Sequence, residues 1–318
     1  MQDSIHEQPT AARRAGLAVK SAVRPALKTA WWMARLTVTV SLAVTVLQYL
    51  GVITWFAGWL NPLFHLVGLP GEAALVYLTS YFVNIYSAIA VIATFDLSLR
   101  SITILAVMCL CTHNMLIETA VQKKTGSSAV RMVLLRTVAA LVSALLLNWV
   151  LPAEAVRDAA IVDDSGVPMK DIALSWLTAT GKLVVKMTLI ILTLNIMQKV
   201  LAEFGIIRWL SKLFRPVLKV FGLPAKTSFL WIVANTLGLA YGAAVMIEET
   251  EQGKISQKDA DLLNHHIAIS HSNLEDVSLL FSVGASVWCM LIVRWILAAA
   301  AVWLRQAELR LVRKVADN

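Results

Sequence analysis

Charge is scarce in this chain. Asp, Glu, Lys and Arg make up 15% of its 318 residues while 58% are hydrophobic, against about 25% charge in a soluble globular domain. That shortage excludes an ordinary soluble fold. Cysteine is scarcer still. Cys109, Cys111 and Cys289 all lie in apolar segments and offer no disulfide framework. Cys109 and Cys111 are two apart, so on a helix they point apart and do not build a shared thiolate site. The zinc-hydrolase pattern His-Glu-x-x-His is missing, and no nucleophile-plus-base arrangement stands out. The chain therefore reads as a non-enzyme without a resident cofactor. A cleavable signal is also lacking, because the polar, basic segment of about thirty residues before the first apolar stretch is longer than a signal n-region. The net charge of +8 fits basic loops against anionic lipid, and no soluble domain exists to carry a nucleic-acid site.

What is present is apolar sequence of membrane-spanning length, recurring for example over 36–50, 129–151 and 287–304. A helix needs roughly 20 residues to cross the hydrocarbon core. The expected fold class is an all-α polytopic membrane protein.

The chain also carries one module twice. Residues 47–70 align without gaps to 201–224, sharing Leu47/Leu201, Gly51/Gly205, Ile53/Ile207, Trp55/Trp209, Pro62/Pro216 and the Gly-Leu-Pro triplets ending at Pro70 and Pro224. After a small insertion the match resumes with His113/His271, Glu118/Asp276 and Arg136/Arg294, all at one offset. In the second copy Arg208, Lys212, Arg215 and Lys219 fall on one helical face, where the first copy has Thr54, Gly58, Asn61 and His65. One amphipathic helix suits the anionic inner leaflet and the other the outer surface, which is what inversion requires.

Charge sets the expected topology. The N-terminal Arg13, Arg14, Lys20, Arg24 and Lys28, the Lys123-Lys124/Arg131 connection and the C-terminal Arg305, Arg310, Arg313 and Lys314 belong in the cytoplasm. The acidic segment with Glu154, Asp158, Asp163, Asp164 and Asp171 belongs outside. Parity between Gly68 and Lys123 then requires one of two apolar stretches to enter and leave on the same side. Residues 71–94 are the better candidate, with Thr79, Ser80 and Asn84 at their middle; the repeat mate, 225–248, has Asn235, Thr236 and Gly238 there. Polar backbone at membrane depth survives only inside protein or along a cavity. Each half should hold three spanning helices, one interfacial helix and one re-entrant hairpin. The expected division is a basic segment 1–30, a first repeat 31–152, an acidic loop 153–171, a second repeat 172–305 and a basic tail 306–318.

The densest polar run inside an apolar region is 265–276, with His265, His266, Ser270, His271, Asn273, Glu275 and Asp276; its mate holds His113, Asn114 and Glu118. A mid-membrane carboxylate costs about 2.5–3.5 kcal/mol even on the lower scales, so such groups face a bundle interior or a water-filled path. His271 precedes Glu275 and Asp276 by four and five residues, within reach of a helical turn. A pair of this kind can hold a proton or a cation, or can simply lock helices together. His265, His271 and Asp276 are weaker candidates for a metal site. Arg136 and Arg294 either pair with Glu118 and Asp276 or snorkel to an interface.

Interfacial helix, Gly-Leu-Pro, polar hairpin and a helix with a mid-membrane acid together resemble the Gate, or nucleoside recognition, domain. That domain occurs in concentrative nucleoside transporters, the membrane part of ferrous-iron transport GTPases and spore maturation proteins. The resemblance spans about residues 31–305. It implies a solute site formed by the hairpins and broken helices, with Asn84, His113 and Asn114 from one half and Asn235, His271, Asn273, Glu275 and Asp276 from the other. The leading expectation is a secondary transporter of a small polar, nucleoside-like solute, coupled to protons or sodium. A divalent-cation permease and a non-transporting membrane scaffold are the alternatives. The expected location is the bacterial inner (plasma) membrane, multi-pass, with both termini cytoplasmic. A homo-oligomer is compatible with this reading.

Overall fold

Two long helices frame the molecule, and their contact begins with small side chains. Helix α1 (Ala11–Tyr49) buries Ala18, Ala22, Ala26 and Ala30, then Thr37 and Ser41, along one stripe. Small residues let helix backbones approach closely in lipid. The partner is α8 (Met169–Glu203), which turns Thr180, Leu183, Met187 and Ile191 inward. The pair is antiparallel: Arg14 meets Glu203 at 2.8 Å at one end, and Ser41 meets Thr180 at 3.4 Å towards the other. The computed structural model describes residues 10–153 and 168–316. Glu154, Asp158, Asp163 and Asp164 of the expected acidic loop lie outside them. The described part of the basic segment 1–30 continues into α1 without a break.

The remaining elements run α2 (Val52–Leu66), α3 (Ala73–Phe82), α4 (Ile85–Ile92), α5 (Leu99–Thr112), α6 (Met115–Lys124) and α7 (Ala129–Val150) before α8. After it come α9 (Ile206–Leu213), α10 (Arg215–Val220), α11 (Ser228–Thr236), α12 (Leu239–Glu251), α13 (Gln257–Ser270), α14 (Glu275–Phe281) and α15 (Val287–Ala316). Among the described residues there is no strand. Five helical stretches among the described residues are long and apolar enough to cross a membrane: Ala11–Tyr49, Leu99–Lys124, Ala129–Val150, Met169–Glu203 and Val287–Val312. The fold class is all-α and polytopic. The second-half counterpart of Leu99–Lys124 is α13 followed by α14, where polar residues interrupt the apolar run.

Both polar stretches expected to reverse direction are broken in two. In the first, α3 and α4 pack together across a break at Val83-Asn84; extended Asn84 caps α4 by accepting from the Ser87 N–H at 2.9 Å. In the second, the break falls at Gly238, whose φ of 93° and ψ of 165° suit only glycine. Had α11 and α12 been one helix, residues eight apart would be separated by about 12 Å. Instead a Cβ placed on Gly242 would lie 2.9 Å from the Ala234 Cβ. The chain has turned back on itself.

Interhelical hydrogen bonds close the two ends. At one, Arg100 donates to the carbonyls of Gly68, Asn148 and Pro152 at 3.0–3.1 Å. At the other, Gln306 donates to the Gly222 carbonyl, Arg131 pairs with Glu308 at 2.6 Å and Arg305 with Asp261 at 2.8 Å. The residues called a basic tail, 306–318, continue α15 as far as they are described.

Candidate functional site

Helices α5 and α13 stop in mid-molecule for the same local reason. His113 ends α5 and Asn114 turns left-handed with φ 54°; His271 ends α13 and Ser272 does the same with φ 54°. Each stop frees backbone groups that must find partners away from water. The N–H groups go to the hairpins: Asn114 to the Ser80 carbonyl at 3.0 Å, Ser272 to Ala234 and Leu274 to Asn235, both at 3.2 Å. The carbonyls go to two arginines that are 0% exposed. Arg136 donates to Cys111 and His113 oxygens at 2.8 and 2.7 Å; Arg294 donates to Ile269 and His271 oxygens, both at 2.6 Å. Neither arginine snorkels.

The two breaks bring their side chains face to face, with the His113 and His271 rings 5.0 Å apart. Each imidazole points its Nδ1 at a backbone carbonyl, Cys109 O at 3.2 Å and Ile267 O at 2.7 Å. A carbonyl only accepts, so Nδ1 carries the hydrogen and Nε2 faces the opposite way. There it meets carboxylates. His113 Nε2 lies 3.1 Å from Glu118 Oε1 and 3.2 Å from Asp276 Oδ2, and His271 Nε2 lies 3.2 Å from Glu118 Oε1. The other Glu118 oxygen pairs with Arg136 Nη2 at 2.7 Å. All four side chains are buried. With Glu118 and Asp276 ionised and the imidazoles neutral, Arg136 and Arg294 bring the formal charge of the six groups to zero.

Several expectations change here. His271 does not pair with Glu275 or Asp276. The helix ends at His271, so spacing along a turn no longer applies, and its ring reaches across to Glu118 of the other half. Arg294 does not pair with Asp276; its free Nη1 donates to Asn273 Oδ1 at 3.2 Å. Asn273 in turn donates to Asn235 Oδ1 at 2.6 Å, and Asn235 to Trp231 O at 2.8 Å. Glu275 accepts from the Tyr86 hydroxyl of the first hairpin. Asn84 spends its side-chain oxygen capping α4. Asn114 contributes backbone at the first break. His265 leaves the metal candidates because it lies further along α13, beside Asp261 and Arg305, outside the convergent donors. The convergent donor set is instead His113, Glu118 and His271, whose ligand atoms all lie within 4.8 Å of one another. Tyr86 and the carbonyl-clasping role of the arginines escape sequence reading. An arginine at matching places in both apolar copies was the signal for the second.

Fold and composition define a polytopic α-helical membrane protein. No family model matches the chain, and no solved structure does. The membrane protein YvoD of Bacillus subtilis (strain 168) is 32% identical over 271 residues, covering 84% of this chain and 87% of that protein. The chain belongs to the same family of membrane proteins as YvoD.

Proposed function

We propose that this protein is a secondary active transporter of a small polar solute, coupled to a proton or another cation, with its site where the two halves meet. The observation that carries this reading is the buried His113/Glu118/His271/Asp276 group. Ionisable side chains at membrane depth cost free energy that packing alone does not require. Here both halves contribute them, beside the helix breaks and hairpins where transporters built from inverted repeats place their sites. The resemblance to Gate domains makes a nucleoside-like solute the first to try. The basic end with Arg14, Arg131 and Arg305 faces the cytoplasm in this reading, the two halves are inverted, and the bilayer is the bacterial inner membrane. A divalent-cation permease is the second reading, favoured by the convergence of two Nε2 atoms on carboxylate oxygens.

Uptake into proteoliposomes, per folded molecule, tests the proposal. Nucleosides and nucleobases are offered under an imposed proton or sodium gradient. Asp276→Asn should abolish gradient-driven uptake while the protein stays monodisperse in detergent. A purely structural role would instead lower the melting temperature and reduce uptake only in proportion to folded protein. Near-normal uptake per folded molecule in both Asp276→Asn and His271→Ala would sink the coupling reading.

A further inference from the structure

The heavy atoms at the centre call for a bridging positive charge. Each Nδ1 is committed as a donor, so a neutral imidazole presents only a lone pair at Nε2. Those lone pairs face carboxylate oxygens at 3.1–3.2 Å, acceptor against acceptor. A positive species must sit between them. Protons on both rings would do it, and so would one divalent ion.

The spacing accommodates the ion. Donor atoms around a tetrahedral centre with bonds of about 2.0–2.1 Å are roughly 3.3 Å apart. Within the convergent set the two nitrogen–oxygen edges are 3.1 and 3.2 Å, and all three donor atoms lie within 4.8 Å of one another. The surrounding shell fits as well. Ligating histidines donate their other ring N–H to a carbonyl or carboxylate, and ligating carboxylates are themselves hydrogen-bonded or ion-paired. Both histidines do the first, and Arg136 holds the second oxygen of Glu118. Two imidazoles with one carboxylate and no thiolate suit a first-row ion such as Mn2+, Fe2+, Co2+ or Zn2+. Mg2+ and Ca2+ take oxygen donors, six or more in number, and are poorly served.

We infer that His113 Nε2, His271 Nε2 and Glu118 Oε1 form a binding site for a divalent first-row transition-metal ion shared between the two halves. This deepens the proposed function, resting on its assignment of the buried centre as the cation site. It names the cation class that the centre takes.

Co2+ is the probe, because its visible absorption reports ligand number and geometry. Purified protein, stripped with chelator, should take up one Co2+ per chain with the intense bands of a four-coordinate site, three protein ligands and a water, and Zn2+ should displace it. His271→Ala and His113→Ala should each weaken Co2+ binding by more than about a hundredfold, since loss of an outer-shell partner alone costs 10–100-fold. His265→Ala, outside the donor set, should bind as the unaltered protein does. Gel filtration and melting curves keep folding separate from ligation. If His113→Ala or His271→Ala does not fold, His113→Asn and His271→Asn, which keep a polar side chain in the buried position, take their place in the same titration. No stoichiometric Co2+ uptake, six-coordinate weak bands, or bands unchanged in folded His113→Ala and His271→Ala would overturn the site and leave protons as the bridging charge. Failure of the transport reading is seen separately. Gradient-driven solute uptake by chelated proteoliposomes with no Co2+ site would sink the metal alone. A sound Co2+ site in a protein that moves no solute would sink transport alone.

Discussion

Arg136 and Arg294 occupy equivalent places, yet their removal should not be equally harmful. Arg136 satisfies two buried carbonyls and faces a buried carboxylate, Glu118, at 2.7 Å. Replacing it with methionine, similar in length and without donors, orphans all three. An uncompensated charge from a broken buried pair costs about 3–5 kcal/mol, and each unsatisfied carbonyl about 1–3 kcal/mol. Arg136→Met should therefore lose at least about 5 kcal/mol by these magnitudes. Arg294→Met orphans two carbonyls and the Asn273 oxygen but leaves no carboxylate without its arginine. Its loss should begin nearer about 2 kcal/mol. Equilibrium unfolding in mixed micelles of rising SDS fraction reads the difference, and a cycle isolates the ion pair. Adding Glu118→Gln to Arg136→Met should recover about 3 kcal/mol by removing the stranded charge. Equal losses in the two single variants, with no recovery in the double one, would refute the assignment.

Three further outcomes are expected. Gly238→Ala should cost about 1–3 kcal/mol, because its φ of 93° is closed to L residues; Gly181→Ala, in open space on α8, should be neutral or slightly stabilising by melting temperature. Gly242→Leu should separate the legs of the second hairpin and lower melting temperature sharply, since even a Cβ there meets Ala234 at 2.9 Å; a stability equal to that of Gly58→Leu, where nothing lies within 4 Å, would contradict the packing. Single cysteines at Gly58 and Lys212, in a background without reactive native thiols, should react with a membrane-impermeant reagent from opposite sides, and same-side labelling would end the inverted topology.

Much of this was legible in the sequence because the repeat carries its own register. Asn84 and Gly238 are related by the offset of the Gly-Leu-Pro copies, and His113 and His271 by that of the Glu118/Asp276 and Arg136/Arg294 pairs. Period and composition therefore located the hairpins and the buried acids, and the resemblance to Gate domains the breaks. Partners were another matter. Reasoning from spacing along one helix assumed an unbroken helix, and His271 ends one, so Glu118 replaced Asp276 as its carboxylate. Arg136 does meet Glu118, but the arginines' main task was missed because a long cation in an apolar helix has two ordinary fates, an acid or an interface. The third, a clasp on freed carbonyls, exists only once the break is known. Nor does a basic N-terminal run reveal that α1 is already helical from Ala11.

The hydrogen bonds from Asn114, Ser272 and Leu274 to the hairpin carbonyls have a mechanical meaning. Each joins the terminus of a hairpin leg to the kink of a broken helix through main-chain atoms, with no side chain to flex between them. Sliding the first hairpin past its broken helix would strand a donor and an acceptor in a region without water; in the second the same slide would strand two of each. Hairpin and kink are therefore tied to one another through main-chain atoms, once in each half, and the two tied units meet where His113 and His271 face each other.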